Sequence, residues 1–207
     1  ADDVSGNLVI NDANHVTMDV TATVVVDGSV NIGGSGDVTG NITLTNISLD
    51  SNGDGDPGAG ANVPASLNVR STAGNVILAG KIDVNADPDV AKQANAITIT
   101  ADAGSILNQS GSAIVIDEVD NLTLSAKGSI GTADKPITVN AKTISLTSTS
   151  TTADDANIYI DNNPNVLNID DSAGGDTVTL GTISTGTLAG NITYRQTGQK
   201  LKVSGPI

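Results

Sequence analysis

"GSILNQSGSAIVIDEVDNLTLSAKGSI", from Gly104 to Ile130, decides the fold. It holds three short apolar runs, "SIL" from Ser105, "AIVI" from Ala113 and "LTL" from Leu122, before "GSI" restarts 24 residues after Gly104. Runs of this length, rich in β-branched residues and divided by Gly, Asn, Asp and Ser, read as strands separated by turns. The same triplet continues outward. Downstream come "ITV" at Ile137, "ISL" at Ile144 and "NIYI" at Asn157, then "VLNI" at Val166, "TVTL" at Thr177, "ITY" at Ile192 and "LKV" at Leu201. Upstream lie "NVIL" at Asn75, "KIDV" at Lys81 and "AITI" at Ala96, preceded by "ITL" at Ile42, "ISL" at Ile47 and "SLNV" at Ser66.

A turn phrase marks the restarts: "GNLVI" at Gly6, "GNITL" at Gly40, "GNVIL" at Gly74, then Gly104, Gly128 and "GNITY" at Gly190. Recurrence over tens of residues is the signature of a stacked architecture, in which each unit buries its apolar face only against its neighbours. Three strands per turn with connections of uneven length predict an all-β, single-stranded parallel β-helix solenoid. The competing fold is an antiparallel immunoglobulin-type sandwich. The chain lacks that fold's Cys–Trp–Cys core and spaces its strands too closely for it.

Composition agrees. The 207 residues contain no Phe, Trp or Cys, and Tyr159 and Tyr194 are the only aromatics. Aliphatic residues and Thr must therefore fill a narrow, layered interior. Of 23 acidic residues only Glu118 is a Glu. Asp favours turns where Glu favours helices, so helix is expected at most in "DPDVAKQANA", with Asp87 as cap and Pro88 at the first position. One domain over 1–207 is expected, with a Gly/Asp-rich loop at 50–62 and a second loop at 85–96. Because the sequence starts at Ala1 rather than Met, it reads as a processed or excised segment of a longer exported protein.

A net charge of −14 with nine dispersed basic residues argues against nucleic acid as a partner and suits divalent cations. The absence of cysteine excludes disulfides and thiolate metal sites. No apolar run is long enough for membrane insertion as a helix.

"GSIGTADKPITVNAKTISLTS" (Gly128 to Ser148) followed by "NIYIDNNPNVLNID" resembles the repeat regions of filamentous-haemagglutinin-like surface proteins. These are bacterial adhesins and autotransporter-type passengers, and "GNITLTNISL" and "DNLTLSAKGSI" read the same way. The resemblance implies a right-handed rod, secreted or held at the bacterial cell surface. Its expected partners are neighbouring domains of the same rod, identical subunits, and host or matrix glycans. It carries over no catalytic residue.

The sharpest chemical motif is "DSNGDGDPGAG" from Asp50. Asp50, Asn52, Asp54 and Asp56 alternate in a Gly-rich stretch, a spacing that lets oxygen ligands curl around calcium as a structural cofactor. It resembles the first half of an EF-hand loop, but the twelfth position is Ala61, so the bidentate Glu is missing. A solvated Asp/Gly turn is the alternative. "DVNADPD" (Asp83, Asp87, Asp89) and "NIDDSAGGD" (Asp170, Asp171, Asp176) read first as local turn caps.

Catalysis finds little footing. His15 is the only histidine and there is no G-x-S-x-G elbow, so the expectation is a non-enzymatic protein, with a polysaccharide-active enzyme as a remote reading. Thr43, Thr98 and Thr177 recur at no common interval, which argues against an ordered threonine array. The sequons at Asn41, Asn46, Asn108, Asn121 and Asn191 read as turn or ladder asparagines. Two function classes remain: an adhesin rod, and a filament or surface-layer subunit stacking end to end. For the latter, "HVTMDVTATVVVDGSV" is an uncapped amino edge, whereas the charges and Pro206 of "KLKVSGPI" are expected to blunt the other end.

Overall fold

The computed structural model describes residues 4–5, 8–10, 17–20, 24–27, 29–33, 40–50, 66–83, 95–150, 156–163, 177–185, 190–197 and 200–207. Among these there is no helix, and every strand pair is parallel. The short β-rich runs thus pair with runs one triplet away rather than with their sequence neighbours, a pattern compatible with a β-helix or solenoid.

The strands fall into three ladders, here A, B and C. Ladder A takes β1 (Val4–Ser5), β4 (Val24–Asp27), β7 (Ile47–Asp50), β10 (Ile82–Asp83), the first parts of β13 (Ile116–Ala126) and β14 (Ile137–Ser148), then β15 (Ile158–Asn162) and β17 (Ile192–Gln196). Ladder B takes β2 (Leu8–Ile10), β5 (Ser29–Ile32), β8 (Ser66–Ser71), β11 (Ala96–Ala101), the second parts of β13 and β14, then β16 (Thr177–Ser184) and β18 (Lys200–Val203). Ladder C takes β3 (Thr17–Val20), β6 (Asn41–Leu44), β9 (Val76–Leu78) and β12 (Ile106–Asn108), and single bridges extend it through Ile130 to Ile158.

Alternation does the sorting. In β11 the pattern over Ala96–Ala101 puts Ile97, Ile99 and Ala101 fully inside and leaves Thr98 and Thr100 half-exposed. Register then stacks like on like: Leu67, Ile97, Leu122, Ile144 and Leu180 form one interior column, each at most 3% exposed. Among the described residues aliphatic side chains that repeat one rung apart fill the interior, with one partly buried aromatic, Tyr194, packed against it.

The restart phrase has a physical cause. On successive rungs the backbone N–H of Asn75 donates to Asn41 Oδ1 (2.8 Å), that of Ser105 to Asn75 Oδ1 (2.7 Å), and that of Ser129 to Ser105 Oγ (3.0 Å). Where the corner between B and C breaks the strand pairing, these side chains take over from the backbone acceptor. The preceding glycine is needed because the rungs touch there. A Cβ on Gly74 would lie 2.2 Å from the carbonyl of Gly40, and one on Gly104 2.2 Å from the carbonyl oxygen of Gly74. Asn191 repeats the bond to Asn157 Oδ1 at 3.0 Å, with Ala156 before Asn157. "GNLVI" at Gly6 is different: it runs into β2, so it feeds ladder B rather than C.

Candidate functional site

The corner between ladders A and B is where the chain is least regular. Within β13 and β14 it turns that corner with no break in the strand, at the cost of a bulge between Ile116 and Val119 and a left-handed Glu118 (φ 54°). After β7, β10 and β15 the links from A to B are long: 51–65, 84–94 and 164–176. The calcium motif sits on the first of these. Asp50 is the last residue of β7, while Asn52, Asp54 and Asp56 lie outside the described residues, as do the expected helix after Asp87, the "VLNI" strand and His15. Among the described residues no three or more acidic or histidine side chains gather as a metal would need.

Buried amides patch the corner where the strand is missing. Asn162, fully buried, accepts from the Ala141 N–H and donates to the Ala141 carbonyl, both at 3.1 Å, so its side chain replaces a backbone rung. Asn95, 2% exposed, accepts from the Asp120 N–H (2.7 Å) and donates to the Glu118 carbonyl (3.0 Å). Asp83 and Asp117 stand in register on adjacent rungs, a like-charge pair that Lys81 bridges at 2.8 Å to each. Burial alone would lower the Lys81 pKa; hydrogen bonds to Asp117 and Asp83 outweigh it and hold the ammonium above its ordinary range. Asn140 adds a 2.8 Å bond to Asp117.

The outer face of ladder A carries a recess of about 280 Å³. Its floor follows one column, Thr138 in β14, Asp161 in β15 and Arg195 in β17, in register on successive rungs. Asn163 and Thr197 also line it, as do Ala113 and Ile114 from the segment before β13. The Val115 N–H, bonded to the Thr138 carbonyl at 2.9 Å, ties that segment to the next rung. Arg195 and Asp161 form a two-pronged ion pair, with Nε to Oδ1 at 3.0 Å and the second contact between Nη2 and Oδ2. Thr138 Oγ1 and Asn163 Oδ1 are buried with no hydrogen-bond partner. Polar atoms left this way are uncommon, because each costs about 1–3 kcal/mol.

The outer face of ladder B is different in kind. Thr98, Thr123 and Ser145 stand in one column, and Thr100, Ser125 and Thr147 in the next. The intervals between Thr43, Thr98 and Thr177 conceal this order, since Thr43 belongs to ladder C. Of the sequon asparagines, Asn41 serves the B–C corner, and Asn108 donates to the Pro136 carbonyl at 2.7 Å. Among the described residues no helix is long and apolar enough to cross a membrane.

The recess is not legible in the sequence, because Thr138, Asp161 and Arg195 are brought together by register alone. Comparison of the chain with protein-family models, with curated proteins and with solved structures found no match.

Proposed function

We propose that the chain is a right-handed, single-stranded β-helix with three strands per coil, serving as a non-enzymatic rod segment of a secreted or surface-held bacterial adhesin. The observation that supports this reading is the continuity of ladder B. Eight strands pair one after another from β2 to β18, with one register shift between β14 and β16, giving a rod about 34 Å long at roughly 4.8 Å per rung. A rod of this kind keeps its interior for stability and leaves its faces and corner connections free to vary. Its partners are cells, matrix and host glycans, met through the outer faces.

A second reading, a subunit of a filament, has its own observation. In the last coil Ile192, Leu201 and Val203 are 36%, 46% and 51% exposed, whereas their column neighbours Ile158, Val178 and Leu180 are at most 3% exposed. The alternation of Lys200 and Lys202 with Leu201 and Val203 leaves that apolar edge uncovered rather than blunted. A further parallel strand, from a neighbouring domain or an identical subunit, would cover it.

Binding of the purified chain to matrix-coated and cell-coated surfaces, with light scattering recorded against concentration, separates the two. Saturable attachment by a monomer is the expected result. Scattering that grows with concentration, without attachment, would replace the adhesin by the filament subunit. Absence of both would overturn the proposal.

A further inference from the structure

We infer that the recess on ladder A is a binding site for one neutral sugar ring, reached through Thr138, Asn163 and the Asp161–Arg195 pair. The chemistry of the site narrows the ligand. Asp161 and Arg195 neutralise one another through two contacts, so the recess offers no spare charge for an ion of either sign. What it does offer is a carboxylate and a guanidinium side by side, one accepting and one donating. Beside them are the hydroxyls of Thr138 and Thr197 and the amide of Asn163.

Two of these groups lack partners. Asn163 Oδ1 needs a donor, and Thr138 Oγ1 can give or accept. Both residues line the recess but their orphaned atoms are turned away from solvent, so engaging a ligand requires each side chain to change rotamer. A hydroxyl that donates and accepts at once meets all of these demands, and a ring bearing several meets them together. A peptide offers one backbone donor per residue and carries hydroxyls only where Ser, Thr or Tyr stands, whereas every sugar ring carries several. Ala113 and Ile114 supply the apolar wall against which the C–H face of a sugar packs. The volume lies just below the range that holds drug-sized ligands, so the site takes one ring rather than a chain. For a ligand of that size a Kd on the order of 1 mM is expected, and repeated presentation along a surface would strengthen attachment by avidity.

The inference deepens the adhesin reading by naming a ligand and a place, and the two can fail separately. The test is saturation-transfer NMR on the full chain. The probes are methyl glycosides of glucose, galactose, mannose and N-acetylglucosamine, with N-acetylneuraminic acid and a neutral tripeptide as comparators. Expected is transfer to at least one neutral glycoside and to neither comparator. The signal should fall about tenfold in Thr138→Val, which removes the unpartnered hydroxyl at constant shape. That variant should melt no lower than the parent, so lost binding is not lost folding. Arg70→Ala, which breaks the exposed pair with Asp102 on ladder B, should leave binding unchanged. No transfer from any neutral glycoside at about 10 mM, ten times the expected Kd, would overturn the inference, as would transfer that survives Thr138→Val. Stronger transfer to the tripeptide would overturn it in favour of a peptide site. Surface attachment that survives Thr138→Val would leave the adhesin reading standing without the recess, and sugar binding without surface attachment would do the reverse.

Discussion

The coils built on β13 and β14 differ from those around them in one respect. They pass from ladder A to ladder B within a single strand of 11 or 12 residues, whereas β7, β10 and β15 reach their ladder-B partners through 51–65, 84–94 and 164–176. The interior does not register the difference. Leu124 and Leu146, beside the tight corners, are fully buried, and so is Leu49, beside a long connection. Stability in such a stack is a sum over coils and their contacts, and a longer closure costs only about 0.6 kcal/mol per doubling of length. The stack tolerates an irregular corner because the columns, not the corners, carry the burial. That leaves the A–B corner free to bear variable sequence, and all three Asp-rich stretches are found there.

The largest effect should come from cutting a column. Leu124→Ala and Leu49→Ala each remove a fully buried side chain and should each cost about 3 kcal/mol in urea unfolding followed by circular dichroism. Equal losses would uphold the comparison. If Leu49→Ala cost under about 1 kcal/mol, the coils with long connections would be loosely packed, and the equivalence would break.

A comparable effect should follow from removing a corner patch. Asn162→Leu leaves both the N–H and the carbonyl of buried Ala141 without partners, at about 1–3 kcal/mol for each. Asn121→Leu, at an exposed position on ladder B, should change stability by no more than about 0.5 kcal/mol. Amide exchange sharpens the result: the Ala141 N–H should lose protection in Asn162→Leu while the Leu124 N–H keeps it. Loss at both would mean that corners and columns unfold as one unit.

Much of this order is readable in the letters, for a physical reason. Strand runs and their Gly-Asn or Gly-Ser restarts are local, because the glycine is demanded by a 2.2 Å approach and the asparagine by an orphaned N–H one rung away. What the letters hide is register. Connections of unequal length separate Ser105 from Ser129 by 24 residues but Asn41 from Asn75 by 34. No single period therefore reveals that Thr98 meets Thr123, or that Thr138, Asp161 and Arg195 share a column. The same variation conceals buried patches such as Asn162, which looks in sequence like one more turn residue in "DNNPN".

The smallest expected effect concerns the irregular corner itself. Asp50 closes β7 and Asp83 closes β10, adjacent strands of ladder A, so the connections carrying "DSNGDGDPGAG" and "DVNADPD" both start from this corner, one rung apart. If calcium joins Asp50, Asn52, Asp54 and Asp56, Ala61 leaves the bidentate position of the motif unfilled, so a weak site is expected. Calcium sites of extracellular modules bind at about 0.1–1 mM, so ten times the Kd stabilises the native state by about 1.4 kcal/mol. A calcium titration of the melting temperature should therefore show a rise of a few degrees that Asp54→Ala abolishes and Asp134→Ala, in the exposed turn before β14, does not. Equal rises in both variants would assign the effect to general screening of the −14 charge. No rise at all would make the Gly-rich stretch a solvated turn and leave the irregular corner without a metal.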